Sequence, residues 1–128
     1  YQQYRQELSV IPGLTVTTYN ESEACNYQYI IVEIDPAAAG IDRDLLVRVL
    51  HAENVLARRY FYPGCHQMEP YRSLFPHAGL LLTRTENLTQ RVVSLPNGTA
   101  VDADAIQGIC ALIRLAATHG AAIRRALE

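Results

Sequence analysis

The sequence contains no lysine: all eleven basic residues are arginine. Chemistry that needs a lysine amine, such as a Schiff base, a P-loop phosphate clamp or a lysine general base, therefore lies beyond these residues. Tryptophan is absent, methionine occurs once and phenylalanine twice, so tyrosine supplies eight aromatic side chains. The three cysteines, Cys25, Cys65 and Cys110, are far apart and form no C-x-x-C pair. This argues against a disulfide scaffold or a zinc knuckle and fits a reducing, cytoplasmic setting. Positive charge does not dominate. Eleven basic against thirteen acidic residues leave a formal net charge of −2, which excludes attachment to nucleic acid through a broad basic surface. No apolar run is long enough to suggest a bilayer span, and no signal peptide opens the chain, so neither membrane nor export is expected. The first residue is Tyr1 rather than Met, which leaves room for an upstream segment.

What remains is 128 residues, of which 49% are apolar and 19% charged. That is one domain's worth of chain with enough apolar surface to bury a core. Residues Tyr1 to Leu8 read as a helix stopped by Ile11-Pro12-Gly13. Leu14 to Thr18 is a short strand candidate. Tyr27 to Ile34 is the best strand, β-branched and aromatic and ended by Asp35-Pro36. Ala37 to Gly40 reads as a connection. Asp42 is placed to cap a helix from Arg43 to Glu53, with Leu45, Leu46, Val49 and Leu50 as its apolar stripe. Asn54 falls at a left-handed cap position. Val55 to Tyr62 reads as another strand, and Cys65 to Gly79, with Pro70 and Pro76, as loop or short turns. Thr85 is expected to cap a helix from Glu86 to about Val93. Ser94 to Pro96 is read as an edge strand or turn, before the turn signal Asn97-Gly98. Asp102 is placed to cap a helix to about Thr118, with Ile106, Ile109, Leu112, Ile113 and Ala116 on one face. His119-Gly120 would end it, before a last turn over Ala121 to Leu127. The expected class is α+β, a small mixed or antiparallel sheet packed with helices in the order β-β-α-β-α-α.

Chemistry concentrates in Arg58 to Arg72, which holds three tyrosines, three arginines, a histidine, a cysteine and a glutamate. It sits where a strand runs into a loop, a common location for ligand groups. Strand alternation puts Arg58, Tyr60 and Tyr62 on one side and Arg59 and Phe61 on the other. One face would thus offer a guanidinium to phosphate and phenols to sugar hydroxyls. The ordinary alternative is that such a face is plain surface or an interface. Cys65 beside His66 does not make a nucleophile pair, because adjacent residues seldom present their side chains to each other. His51, His66 and His77 lack metal-ligand spacing. Glu33 and Asp35 read as a solvated edge rather than a carboxylate dyad. These residues look like part of an active site rather than a complete one.

The stretch ARRYFYPGCHQMEPYRS, Ala57 to Ser73, resembles the C-terminal domain of the DegT/DnrJ/StrS sugar aminotransferases. Matching features surround it in order. NYQYIIVEID (Asn26 to Asp35) is similar to the family's first small-domain strand, and IDRDLLVRVLHAENV (Ile41 to Val55) to the following helix, with Asn54 where relatives often carry Gly. TENLTQRVVSLPNGTAVDADAIQGICALIR (Thr85 to Arg114) is similar to the family's segment around Leu88, Arg91-Val92 and Ser94-Leu95-Pro96 and to its closing helix. The resemblance covers about residues 1–115.

That resemblance implies the small domain of the aspartate-aminotransferase fold, with the whole chain as one C-terminal domain and the N-terminal cofactor domain outside it. It implies an enzyme that uses pyridoxal phosphate to move an amino group from glutamate onto a nucleotide-linked keto-deoxy sugar, in aminosugar biosynthesis, normally as a homodimer with composite active sites. The YFYPGCH form is similar to members that act on dTDP-4-keto-6-deoxy sugars. Carried over by position, Tyr62 and His66 are the first substrate-side candidates, followed by Arg59, Tyr60 and Tyr71. No catalytic, cofactor-binding or metal-binding residue is expected in this chain. The alternative is a stand-alone, non-catalytic module that binds a nucleotide sugar or a protein. Incubation with pyridoxal phosphate and borohydride should leave every side chain of this polypeptide unmodified; a reduced adduct mapped to a side chain by peptide mass spectrometry would overturn that expectation.

Overall fold

The computed structural model describes residues 1–127. Its sheet is built on β2 (Ile30–Ile34), whose residues alternate so that Ile30, Val32 and Ile34 are buried while Ile31 and Glu33 are half-buried on the other side. The strand starts later than the sequence suggests, since Tyr27 takes a left-handed backbone (φ 49°). β1 (Leu14–Val16) runs antiparallel to β2, with Leu14 opposite Ile34 and Val16 opposite Val32. On the other side of β2 lies β4 (Val92–Leu95), also antiparallel, with Val93 opposite Val32 and Leu95 opposite Ile30. β3 (Arg58–Arg59) pairs antiparallel with β4 and completes the order β1-β2-β4-β3. Of the two sheet types expected, the antiparallel one is present.

Two strands differ from the sequence reading. Val92 and Val93, expected at the end of a helix from Glu86, instead open β4, and the supposed edge strand or turn is an interior strand. Pairing on both sides buries Val92, Val93 and Leu95, a gain that a helical end could not match. The helix itself, α6 (Thr83–Thr89), starts earlier and has no side-chain cap from Thr85. The expected strand Val55 to Tyr62 shrinks to β3. At its start the Ala57 amide bonds the Val55 carbonyl in a tight turn (2.8 Å), and at its end Phe61 is left-handed (φ 40°).

Three helices cover one face of the sheet. α1 (Gln2–Leu8) buries Tyr4 and Leu8, α3 (Arg43–Ala52) buries Leu46 and Leu50, and α7 (Ala103–Leu127) buries Ile109 and Ile113. All of these join one core with Ile30, Val32, Ile34, Val93 and Leu95. The caps of α3 and α7 fall where the sequence puts them. The Leu45 amide donates to Asp42 Oδ1 (2.8 Å), the Ala105 amide to Asp102 Oδ1 (2.8 Å), and Asn54 is left-handed (φ 59°). The connection after β2 contains a helical turn, α2 (Pro36–Ala39), because Asp35 accepts the Ala37 amide, Pro36 sits at its first position and Gly40 closes it left-handed. α7 runs on past Thr118. His119 leaves helical geometry (φ −112°, ψ 16°), so a kink divides α7 into two helical pieces where the sequence places the end of the first. At the kink Gly120 meets α2's end, where a Cβ would lie 2.1 Å from the Gly40 carbonyl oxygen.

By length and composition α7 could span a bilayer, contrary to the sequence reading. In this fold it packs Ile109, Cys110, Ile113 and Ala116 against α1 and α3 and carries exposed Arg114 midway. Between β3 and β4 run a 3-10 turn (Cys65–Gln67), α4 (Tyr71–Leu74), α5 (Ala78–Leu81) and then α6, in agreement with the loop and short turns expected after Pro63-Gly64.

Asp42 does more than cap α3, since its Oδ2 also accepts Arg124 Nη2 (2.6 Å). Partial burial pushes its pKa up, but the Leu45 amide and the Arg124 guanidinium outweigh that and hold it below the ordinary value. A carboxyl more acidic when folded stabilises the fold above its unfolded pKa, and that stability is lost as pH falls through the folded pKa. Asp42→Asn keeps a capping oxygen but not the charge. It should unfold at lower urea than wild type at neutral pH, by about 1 kcal/mol or less. The gap should close on acidification through the carboxylate range.

Candidate functional site

The arginine and tyrosine residues are divided between the two sides of the sheet by a strand that stops early. Arg58 lies opposite Ser94 and Arg59 opposite Val93, so Arg58 shares the outer face while Arg59 shares the helix-covered face. The left-handed turn at Phe61 ends the alternation there. Tyr62 consequently lies with Arg59 and not with Arg58, reversing the pairing that strand periodicity predicts.

Two guanidinium groups lie over the ring of Tyr62. The Arg59 carbon lies 5.5 Å and the Arg43 carbon 5.0 Å from its ring centroid, an attraction between cation and aromatic face. Asp44 Oδ1 accepts Nε of both arginines, Arg43 at 2.6 Å and Arg59 at 2.8 Å. The Arg43 side chain is fully buried. Its Nη1 donates to the carbonyls of Thr89 (2.7 Å) and Val92 (3.2 Å), while its Nη2 has no partner among the described residues. The phenol of Tyr62, 41% exposed, points no hydrogen bond at any described residue.

On the outer face, Tyr60 packs against Tyr29 (ring centroids 5.5 Å) and Phe61 (4.4 Å). With Gln28, Arg58 and Asn97 these rings line an open groove of about 550 Å³. Arg58 is exposed and makes no ion pair among the described residues.

His66 is turned inward from the 3-10 turn, its side chain only 9% exposed. Its Nε2 lies 2.6 Å from Glu86 Oε1 on α6, and the same oxygen accepts Gln67 Nε2 at 2.7 Å. These bonds, His66 first, hold the Glu86 carboxyl below its ordinary pKa. Gly64 (φ +96°) gives the ring its space, since a Cβ there would lie 2.9 Å from His66 Cε1. Tyr71, the first residue of α4, is half exposed and separate from the other candidates, with no ring contact to them. Among the described residues no three His, Cys, Asp or Glu side chains gather as a metal site.

The structure thus brings Arg59 to Tyr62, sets Tyr60 and Arg58 on the outer groove, and engages His66 with Glu86. Sequence reasoning missed Arg43, Asp44, Tyr29 and Glu86. Arg43 did carry a signal: it stands three, four and seven residues before Leu46, Val47 and Leu50, on the buried stripe of α3.

An antiparallel sheet backed by three helices, with an arginine- and tyrosine-bearing loop at its edge, is an architecture found in aminotransferases. The chain belongs to the DegT/DnrJ/EryC1/StrS aminotransferase family, whose sequence model matches residues 1–114. It is 30% identical over 110 residues to dTDP-4-amino-4,6-dideoxy-D-glucose transaminase of Escherichia coli, covering 86% of this chain and 29% of that protein. It is 31% identical over 100 residues to UDP-4-amino-4-deoxy-L-arabinose–oxoglutarate aminotransferase of Shewanella sediminis, covering 73% and 25%. The crystal structure of DesI in the presence of its TDP-sugar product superposes with a TM-score of 0.86 at 47% identity, over 99% of this chain and 32% of that one. PseC of Helicobacter pylori, an aminotransferase involved in pseudaminic acid biosynthesis, shares the fold at 19% identity and TM-score 0.73, over 88% and 29%. The chain therefore spans about a third or less of the length of these relatives.

If the two guanidinium groups hold Tyr62 by its ring face, the hydroxyl is dispensable for stability. Tyr62→Phe should unfold within about 0.5 kcal/mol of wild type, and Tyr62→Leu should lose about 1 kcal/mol, measured by urea titration.

Proposed function

We propose that this chain is the C-terminal small domain of a sugar aminotransferase that moves an amino group from glutamate to a nucleotide-linked keto-deoxy sugar. The reading rests above all on one observation: the likeness to DesI runs through nearly the whole chain yet reaches only 32% of that protein. The complete enzyme would use pyridoxal phosphate, which supplies an electron sink for the amine transfer. The residues of this chain do not fit that cofactor, because no lysine is available for its imine. The lysine would belong to the domain outside this sequence. The enzyme would work in the cytoplasm as a homodimer, and the free thiols of Cys25, Cys65 and Cys110 suit such a reducing compartment.

Within this reading the chain contributes substrate binding. Arg58 on the outer groove and Arg59, held by Asp44 on the other face, are each donors suited to a phosphate, because a guanidinium fork matches phosphate oxygens. Tyr60 and Tyr62 offer phenols to sugar or ribose hydroxyls, and the Tyr29–Tyr60 pair offers an aromatic wall to a base. Tyr71 would close the far side of the same loop. His66 serves from behind the loop, because its Nε2 is already engaged by Glu86.

Two measurements test this. Intact mass spectrometry on the native protein should give a mass well above the 14.3 kDa of these residues. A mass matching them alone would favour a stand-alone binding module. Titration of the chain with dTDP, followed by NMR, should shift the signals of Arg58, Arg59, Tyr60 and Tyr62, and Arg58→Ala/Arg59→Ala should abolish the shifts. Unmoved signals in the wild-type chain would refute the substrate-binding role.

A further inference from the structure

We infer that Arg43 and Glu86 are positioning residues that hold the Tyr60 to Gln67 loop against the last turn of α6. This rests on the reading of that loop as substrate-facing. Neither residue belongs to the loop, and neither faces the outer groove.

The loop needs anchors because its strand is too short to hold it. β3 offers only Arg58 and Arg59 to β4, and beyond them the backbone has no ladder. Two pins replace the missing ladder. The first is Arg43, which crosses from α3 beneath the sheet's edge. Its Nη1 seizes the carbonyls of Thr89 and Val92, where α6 passes into β4, and its face supports Tyr62. The second is Glu86, whose Oε1 takes both His66 Nε2 and Gln67 Nε2. Glu86 and Thr89 stand three residues apart on α6, joined by the Thr89 hydroxyl bonding the Glu86 carbonyl (3.0 Å). Both pins therefore meet on one helical turn, and Tyr62 and His66 move with it.

Burial makes the first pin costly. A guanidinium removed from water, with Nη2 unpartnered among the described residues, is a poor choice for stability alone, and apolar replacements of buried ion pairs are often neutral or stabilising. A Leu or Met on the stripe of α3 would fill the same space. What only arginine supplies is a planar group whose Nε meets Asp44 while Nη1 holds two carbonyls and its carbon lies over the Tyr62 ring.

The test separates position from stability. In the 128-residue chain, Arg43→Met should keep the wild-type melting temperature within a few degrees, while hydrogen exchange at residues 60–67 rises and dTDP binding weakens about tenfold. Arg43→Lys should not rescue the loop. Glu86→Ala should free the His66 and Gln67 side chains and speed the same exchange; Glu86→Gln, which keeps an acceptor, should restore most of the protection. Because Glu86 is partly exposed on a surface helix, its variants serve should Arg43→Met fail to fold. Unchanged exchange at residues 60–67 in Glu86→Ala, or a loosened loop that binds dTDP as tightly as wild type, would overturn the inference. If the wild-type chain binds no dTDP while Glu86→Ala still loosens the loop, the anchoring stands and the substrate reading falls.

Discussion

β4 is paired along both edges, and the site depends on that. Val92 to Leu95 lie between β2 and β3. On one side the pairing completes the apolar sheet with Val32 opposite Val93 and Ile30 opposite Leu95. On the other it catches Arg58 and Arg59. The same strand begins where Arg43 grips the Val92 carbonyl and ends beside Pro96, whose carbonyl accepts the hydroxyl of buried Tyr4 (3.0 Å). A change in β4's register by one residue would exchange inward and outward side chains and carry Arg58 and Arg59 to the wrong faces. Core and ligand groove are therefore fixed by the same ladder.

Electrostatics then arranges what the ladder has placed. Asp44 sits between Arg43 and Arg59 and lets two like charges approach the same ring. Glu86 does the corresponding work for His66 and Gln67. In each case an acidic residue on a helix, α3 or α6, holds two nitrogen donors together, beside the loop for Asp44 and on it for Glu86. The tyrosine and histidine that face or underlie the substrate in the proposed function are held by residues remote from them in sequence.

Much of this was legible beforehand. Asp42, Asp102, Asn54 and the β-branched, aromatic run from Tyr27 to Ile34 announce their structures because each acts through its immediate neighbours. The family resemblance, drawn from about residues 1–115, is matched by the family's sequence model over residues 1–114. What escaped notice acts at a distance. Whether Val92-Val93 ends a helix or opens a strand is decided by β2, some sixty residues earlier. The orientation of Tyr62 turns on the backbone at Phe61, a residue whose type gives no hint of a left-handed turn. The partnership of His66 with Glu86 spans twenty residues and passes over two short helices, α4 and α5. Arg43 was the one nonlocal feature with a local sign, a charge standing in an apolar stripe.

The two outer strands are brief, three residues in β1 and two in β3. An exposed sheet edge is ordinarily an invitation for a stranger's backbone to add itself and start an aggregate. Here either margin presents too few free amides and carbonyls to template such growth. The chain can thus leave tyrosines, phenylalanine and an open groove in contact with solvent at its rim without that rim becoming adhesive.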